Sequence, residues 1–352
     1  SRGPWKRLIR QYQPQLVETQ QPFPIEHIRH EKDNCGVRTP RHRQKYMVDR
    51  VNAPVSGICV APGEIGFVSF TKAAAQELAR RVGIAPGHNI STIHSYAFRL
   101  LGLSREQVVD SAKLKEFSRI VKVDITGFAS QDGVEYPSVG DAYLALYGYH
   151  RANLFEDLSS TYADWMSAQG SLPEFLYFCD AYKRWKEGHG YCDFEDMIEG
   201  ALSADSPELR VLYVDEAQDL SSSQWRLVNK WVSDVSNVYI AGDDDQSIYA
   251  WSGASPTGMA DFEAKHSAER VVLDQSYRVP KKAFDLANRL ILNVTERVEK
   301  EYRPRQEEGQ LVWHSDLSSV PMPMSSVDDV YILYRNHSMR KDVEEVLMRK
   351  GV

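Results

Sequence analysis

The sequence has little of what marks secreted, membrane or zinc-binding proteins. It contains only four cysteines in 352 residues, and no two of them form a CxxC pair, which argues against a zinc knuckle or a disulfide framework. No apolar run reaches the roughly eighteen residues of a membrane span, and the first five residues lack the apolar stretch of a secretory signal. We therefore expect a cytoplasmic protein, in a bacterial or viral-host cytosol.

The chain also lacks the excess of positive charge that is typical of proteins that wrap nucleic acid through a uniformly basic surface, since its net charge is −7. The charge is unevenly distributed, however. Residues 1–50 hold eleven Lys or Arg against five Asp or Glu, so a basic arm precedes an acidic body. Two interpretations of this arm stand: a solvated extension, or a contact for nucleic acid or a protein partner.

Strand and helix patterns alternate along much of the chain, which predicts an α/β fold with parallel strand pairing. Apolar runs bounded by turn residues predict strands, and the region from Ser91 to about Ala204 is almost wholly helical in pattern. Long helices are expected at residues 280–298 and 341–350. The predicted strands cover residues 65–70, 210–214, 237–241, 270–273 and 330–334.

Acidic side chains follow the strand at residues 210–214, in the order Asp215, Glu216 and, after two more residues, Asp219. Open α/β sheets bind ligands at the carboxyl ends of their strands. An Asp at such a position holds a hydrated Mg²⁺, and an adjacent Glu orients or deprotonates the water that attacks a γ-phosphate. An acidic cap on the following helix explains Asp219 but not the whole DEAQD set.

The next strand ends in the segment GDDDQSIYAWSGA, which begins at Gly242. Within it, Gln246 can donate a hydrogen bond to a phosphate oxygen, and Tyr249 and Trp251 offer flat faces for unpaired bases. Tyr and Trp alone are more often core residues than stacking surfaces. The polar residues just before them favour the functional interpretation.

Together, DEAQD and GDDDQSIYAWSGA resemble the second and third motifs of the UvrD/Rep-type superfamily 1 DNA helicases. Other segments agree in order: FVSFTKAA from Phe67, STIHSY from Ser91, DFEDM from Asp193 and QSYR from Gln275. The resemblance implies RecA-like, parallel-sheet P-loop NTPase domains with a helical insertion subdomain. The expected division is a basic arm (1–43), a first RecA-like domain in two parts (44–96 and 205–268), a helical insertion (97–204) and an incomplete second RecA-like domain (269–352).

The resemblance also implies a function and roles for single residues. It implies an ATP- and Mg²⁺-dependent helicase or translocase that moves 3′ to 5′ on single-stranded DNA or at single/double-strand junctions. Association with the nucleoid, and a protein partner bound through the basic arm, are further expectations. The implied catalytic residues are Asp215 (also the metal ligand), Glu216, Gln246 and Arg278; the implied nucleotide-binding residues are Gln44, Gln218 and Tyr277; the implied DNA-binding residues are Thr71, Lys72, His94, Tyr249 and Trp251. For Gln44, an ordinary position on a helix surface is the open alternative.

One family feature is missing, because no GxxxxGK[ST] phosphate loop occurs in the sequence. Either a loop segment that belongs near Gly57 and Ile58 is left out of this sequence, or the chain has lost the loop and does not hydrolyse ATP. The retained acidic pair, Gln246, Tyr277 and Arg278 favour the first explanation. The second makes the chain a catalytically inactive, helicase-derived DNA-binding or scaffold protein.

Overall fold

The computed structural model describes residues 62–72, 75–76, 89–127, 136–165, 170–294, 297–320, 332–333 and 339–350. All of these lie in one structural unit, Pro54–Val352. The basic arm at residues 1–43, Gln44 and the region of Gly57 fall outside the described residues. Within the described part, none of the helices combines the length and hydrophobicity needed to cross a bilayer.

Four parallel strands form the main sheet, in the spatial order β2-β1-β3-β4. They are β1 (Ile65–Ser69), β2 (Ile90–Thr92), β3 (Val211–Asp215) and β4 (Asn237–Ile240). The central strands β1 and β3 are apolar and largely buried on both faces, as is typical of parallel sheets that helices cover. The predicted α/β class with a parallel sheet is confirmed.

Within the described residues, ten helices surround and follow this sheet, and several of them begin at a capping side chain. Ser171, Asp193 and Ser221 each accept a hydrogen bond from a backbone amide of the first turn and so satisfy an otherwise unpaired donor. The helices are α1 (Ile93–Leu100), α2 (Ser111–Val121), α3 (Val139–Ala152), α4 (Leu158–Trp165), α5 (Leu172–His189), α6 (Phe194–Ser203), α7 (Ser222–Val232), α8 (Gly258–His266), α9 (Lys281–Ile291) and α10 (Arg340–Arg349).

Two hydrophobic cores hold these elements. The first joins the sheet to α1, α6, α7 and α8, and Trp231 on α7 is fully buried in it. The second is confined to the helical part between Val109 and Tyr191 and is rich in aromatic rings, with Phe117 fully buried among its neighbours. Cys179 and Cys192 are buried free thiols that pack within these cores.

A buried ionic network ties the helical part to the helix that precedes β3. Arg151 on α3 donates to Asp193 at 3.1 Å, to Asp196 at 2.6 Å and to Glu199 at 2.9 Å. Lys186 on α5 contacts the same two aspartates, at 2.5 Å from Asp196. Because both cations are almost fully buried, removal of either one would leave the two partly buried aspartates with a single cation between them.

A second sheet, of two strands, follows α8 along the chain. Strand β5 (Gln275–Pro280) pairs in parallel with β6 (Arg303–Arg305), with an irregularity between Gln275 and Pro280. The structure shows that the strand predicted at residues 270–273 is wrong, since these residues are irregular. Val271 and Leu273 are 68% and 74% exposed, so the apolar run that suggested a strand is not buried.

Two further predictions differ in their bounds. The helix predicted over residues 280–298 is the shorter α9, which ends at Ile291. The region from Ser91, predicted as helical, begins with the last two residues of β2. The strand predicted at residues 330–334 lies largely outside the described residues and stays a prediction. The helix predicted at residues 341–350 is confirmed as α10.

Candidate active site

Polar side chains gather at the carboxyl edge of the main sheet because its strands are parallel. Ser69 at the end of β1 is the register partner of both Thr92 on β2 and Asp215 on β3. The chain after β4 reaches the same edge, where Ala217 N donates to Ala241 O at 3.0 Å. The DEAQD segment and the start of the GDDDQ segment therefore lie side by side, as their strand-end positions predict.

Three carboxyl groups lie close together at this edge. Burial first, and then the neighbouring Glu216 carboxylate, raise the pKa of Asp215 to about 6. The same two causes raise the pKa of Asp219 to about 6. Glu216 itself has a left-handed backbone, with φ 52° and ψ 42°, which is uncommon for a residue other than glycine. Strained backbone and crowded carboxyl groups of this kind cluster at functional sites.

Gln218 joins the acidic edge to the segment after β4. Its side-chain Nε2 donates to Glu216 Oε2 at 2.8 Å, and its Oε1 accepts from the Asp243 backbone N–H at 3.0 Å. Gln218 is buried, and a Cβ atom added to Gly242 would lie 2.7 Å from its Oε1. Glycine at position 242 therefore allows the close approach on which this bridge depends.

Gln246 lies in a short helical turn, Asp244–Gln246, directly after this bridge. Its side-chain Nε2 donates to Asp243 Oδ2 at 2.6 Å, and the residue is exposed. Gln246 is thus connected to Glu216 through Asp243 and Gln218. The structure brings together Asp215, Glu216, Gln218 and Gln246, four of the residues singled out in the sequence.

An aromatic row lies next to this turn. The ring of Tyr249 is 5.4 Å from that of Phe70 and 6.3 Å from that of Trp251. Thr71 and Lys72 follow Phe70 directly and are exposed. Sequence reasoning missed Phe70, because it placed this residue in a buried strand, whereas β1 ends at Ser69 and Phe70 is only partly buried.

His94 lies at the same edge, just after β2. Burial lowers the pKa of His94 to about 4, against the opposing effect of Asp193, so its imidazole is neutral at pH 7. Its Nε2 is buried and has no hydrogen-bond partner among the described residues. The ring meets Phe194 edge-on at 5.1 Å, and Phe194 is 61% exposed. Phe194 is a second aromatic residue that sequence reasoning missed, although it stands inside the DFEDM segment.

Tyr277 and Arg278 lie on β5, in the separate two-stranded sheet. Tyr277 is 56% exposed, and Arg278 is also exposed. Across the described ranges, no hydrogen bond or ion pair joins Arg278 to the acidic edge. The expected approach of Arg278 to Asp215 and Gln246 therefore stays a prediction.

The chemistry of the acidic edge suits a hydrated divalent cation. Ser69 Oγ and Asp219 Oδ1 are buried and have no partner within the described residues, and Asp215 adds a largely buried carboxylate. Such oxygen donors match the preference of Mg²⁺, which keeps several waters and takes one or two carboxylates from the protein. Among the described residues, no three His, Cys, Asp or Glu side chains form a complete metal cluster. A loop to cradle the phosphates is absent from the sequence.

Comparison with known proteins gives one family. Residues 45–267 match the family model of the UvrD/REP helicase N-terminal domain, which is more than half of the chain. The ATP-dependent DNA helicase PcrA of Bacillus subtilis is 27% identical over 344 residues, which cover 83% of this chain and 44% of the relative. PcrA of Leuconostoc citreum is 24% identical, with 88% and 46% covered.

A third relative carries a different name. DNA helicase II of Haemophilus influenzae is 26% identical over 336 residues, with 82% of this chain and 44% of the relative covered. The chain thus spans less than half the length of each of these relatives.

Proposed function

The chain belongs to the UvrD/REP helicase family, and from this premise we propose that it acts as an ATP-driven DNA helicase or translocase on single-stranded DNA, moving 3′ to 5′. One observation carries the proposal. A continuous hydrogen-bonded path runs from Glu216 through Gln218 to Asp243 and Gln246, and Tyr249 of the aromatic row follows three residues later along the chain. A change at the acidic edge can therefore reach a surface on which bases stack.

The acidic edge supplies the proposed chemistry. Asp215 would hold Mg²⁺, and Glu216 would orient and deprotonate the attacking water. Gln246 would donate a hydrogen bond toward the γ-phosphate. When bound, Mg²⁺–ATP supplies the phosphoryl group whose transfer to water drives movement. Gln218 would serve nucleotide binding by holding Glu216 in place.

The two-stranded sheet supplies residues from the opposite side of the proposed nucleotide site. Tyr277 would stack on adenine, and Arg278 would neutralise charge that develops during phosphoryl transfer. Gln44, outside the described residues, is proposed to contact the adenine. We propose the domain division inferred from the sequence: the arm 1–43, a first RecA-like domain (44–96 and 205–268), the helical insertion 97–204 and a second RecA-like domain from 269.

The aromatic row is the proposed contact for single-stranded DNA. Phe70, Tyr249 and Trp251 offer ring faces for bases, and Thr71 and Lys72 would contact the backbone. His94 is neutral, so its contribution would be a hydrogen bond and not charge. The natural ligand would be single-stranded DNA or a single/double-strand junction in the cytoplasm or nucleoid, with a protein partner bound through residues 1–43.

Phosphate release from ATP, measured with and without single-stranded DNA, tests the proposed activity. The wild-type chain should release phosphate faster with DNA, and Glu216→Gln should lower that rate by about 10²–10⁴-fold, the usual contribution of a general base. Glu269→Gln, which changes an exposed residue just after α8, is the matched control and should keep the wild-type rate. Equal rates for wild type and Glu216→Gln would refute the motor.

DNA binding is tested separately with Trp251→Ala. Loss of one base-stacking ring costs about 1–3 kcal/mol, so the affinity for single-stranded DNA should fall roughly 5- to 150-fold. Trp313→Ala removes a ring that is 79% exposed and lies after β6, and it should leave the affinity unchanged. If both variants bind DNA as tightly as the wild type, the aromatic row is not the DNA contact.

The missing GxxxxGK[ST] loop favours one alternative, a helicase-derived protein that binds DNA without hydrolysing ATP. Under this alternative the wild-type chain binds single-stranded DNA, Trp251→Ala binds it more weakly, and DNA does not stimulate phosphate release. A scaffold whose arm binds a partner would keep its function in Trp251→Ala and lose it when residues 1–50 are deleted. The three functions therefore give three different patterns across the same variants.

A further inference from the structure

Residues 297–300 bind three consecutive aspartates that follow β4. Arg297 Nε lies 2.7 Å from Asp245 Oδ1, and its Nη2 lies 2.8 Å from Asp245 Oδ2, so the contact is bidentate. The Val298 backbone N–H donates to Asp244 Oδ2 at 2.7 Å. Paired guanidinium–carboxylate contacts of this kind fix orientation as well as charge.

Lys300 completes the contact. Its Nζ lies 2.5 Å from Asp243 Oδ1 and 3.4 Å from Asp245 Oδ2, and it also pairs with Asp244. The Lys300 and Arg297 side chains are only 11% and 16% exposed. Exposed ion pairs contribute little, but a largely buried pair whose hydrogen bonds are satisfied constrains its neighbours strongly, because loss of one partner leaves an unpaired charge.

Asp243 passes this constraint to the acidic edge. One carboxylate oxygen faces Lys300, while the other accepts from Gln246 Nε2 at 2.6 Å. The Asp243 N–H donates to Gln218, whose amide in turn donates to Glu216. The Asp243 carboxylate therefore links Lys300 directly to Gln246, and two further hydrogen bonds, through Gln218, link Asp243 to Glu216.

Residues 297–300 also belong, through the chain, to the two-stranded sheet. They lie between α9, which follows β5, and β6, which begins at Arg303 and pairs with Gln275 of β5. Only two residues separate Lys300 from Arg303 of β6, so a displacement of the sheet that carries Arg278 would also displace Lys300. The contact thus joins both sides of the proposed nucleotide site at one point.

We propose that Arg297 and Lys300 are positioning residues. They hold the turn at residues 243–246 in place, and through this turn they position Gln246 and the Gln218–Glu216 pair. They also connect the turn to the sheet that carries Arg278. The part of this inference that concerns catalysis rests on the proposed function. The part that concerns the turn does not, because it can be measured without nucleotide.

Hydrogen–deuterium exchange of the full chain, with no nucleotide present, tests the contact directly. In Lys300→Met the backbone amides of residues 243–249 should exchange at least about tenfold faster than in the wild type, because the turn opens more often. Lys300→Arg keeps the charge and should restore exchange to within about threefold of wild type. Lys281→Met is the matched control, since Lys281 forms an exposed pair with Glu308 and should leave these amides unchanged.

DNA-stimulated phosphate release gives the catalytic readout. Lys300→Met should lower kcat by at least about tenfold while the KM for ATP changes less than about threefold, as expected when catalytic groups lose alignment and binding groups remain. Arg297→Lys, which keeps the charge but loses the bidentate contact, should show the same pattern more weakly and serves if Lys300→Met does not fold.

The outcomes separate the two proposals. Unchanged exchange at residues 243–249 in both Lys300→Met and Arg297→Lys overturns the positioning role, whatever the rate of phosphate release. Faster exchange with an unchanged kcat overturns its catalytic part. A wild-type chain without phosphate release refutes the proposed function alone, and the exchange experiment then decides the positioning role by itself.

Discussion

Replacing Asp215 by Asn should stabilise the protein at neutral pH while it removes the proposed metal ligand. The pKa of Asp215 is about 6 in the folded chain, compared with an ordinary value of 3.8. The folded state therefore binds a proton more tightly than the unfolded state. Ionisation of this carboxyl group opposes folding, and its penalty grows as pH rises from about 4 to about 6 and then stays constant.

The size of the effect follows from the two pKa values. Each pKa unit corresponds to about 1.4 kcal/mol, so the ionised Asp215 costs the folded protein on the order of 3 kcal/mol at pH 8. Asparagine has nearly the same shape without the charge. Asp215→Asn should therefore raise the free energy of unfolding by up to about 3 kcal/mol at pH 8, and by close to zero at pH 4.

Urea denaturation at pH 8 and pH 4 measures this difference. Asp234→Asn, at an exposed site after α7, is the matched control and should change stability by less than about 0.5 kcal/mol at both pH values. Addition of millimolar Mg²⁺ should stabilise the wild type at pH 8 and should not stabilise Asp215→Asn, because the Asp215 carboxylate is the proposed ligand of the cation. A gain of equal size at both pH values, or a loss at pH 8, would refute the reasoning.

Three other substitutions test the packing and the bridge. Trp231→Ala should lower the free energy of unfolding by about 3–5 kcal/mol in urea, since the ring is fully buried, and a loss below about 1 kcal/mol would contradict that burial. Lys186→Met should cost about 3–5 kcal/mol, because two partly buried aspartates lose one of their two cations. An unchanged melting temperature would show that the network does not stabilise the helical part. Gly242→Ala should lower the free energy of unfolding by about 1–3 kcal/mol and slow phosphate release, since the new Cβ would lie 2.7 Å from both Gln218 Oε1 and Met259 Sδ. A wild-type rate of phosphate release would mean that the bridge formed by Gln218 tolerates displacement.

The sequence predicts the main sheet well because its central strands are short apolar runs between turn residues. Burial and pattern agree for β1 and β3, which are buried on both faces, whereas β4 is only partly buried along its length. Strand β2 has only three residues, which is too short for a periodic pattern. Strand β5 is polar, with the sequence QSYRVP, and pairs with residues beyond α9, so its position depends on a contact between distant segments.

The candidate site divides in the same way. Asp215, Glu216, Gln218 and Gln246 could be predicted together because parallel strands end at one edge of a sheet. The contact of Arg297 and Lys300 with three aspartates more than fifty residues earlier could not be predicted. In the sequence, these two cations look like ordinary surface residues, and nothing near them identifies the distant aspartates as their partners. Similarly, Phe70 looks like a strand residue until the end of β1 is known.

The energetics of the acidic edge bear on whether the chain is a motor or only a binding protein. The Asp215 charge opposes folding at neutral pH, and the left-handed backbone of Glu216 adds about 1–3 kcal/mol of strain. Neither feature helps Phe70, Tyr249 and Trp251 to stack on bases, since DNA binding through rings needs no buried carboxylates. A bound cation would convert the same charges from a penalty into ligands. The arrangement therefore favours chemistry at a metal–nucleotide site over DNA binding alone.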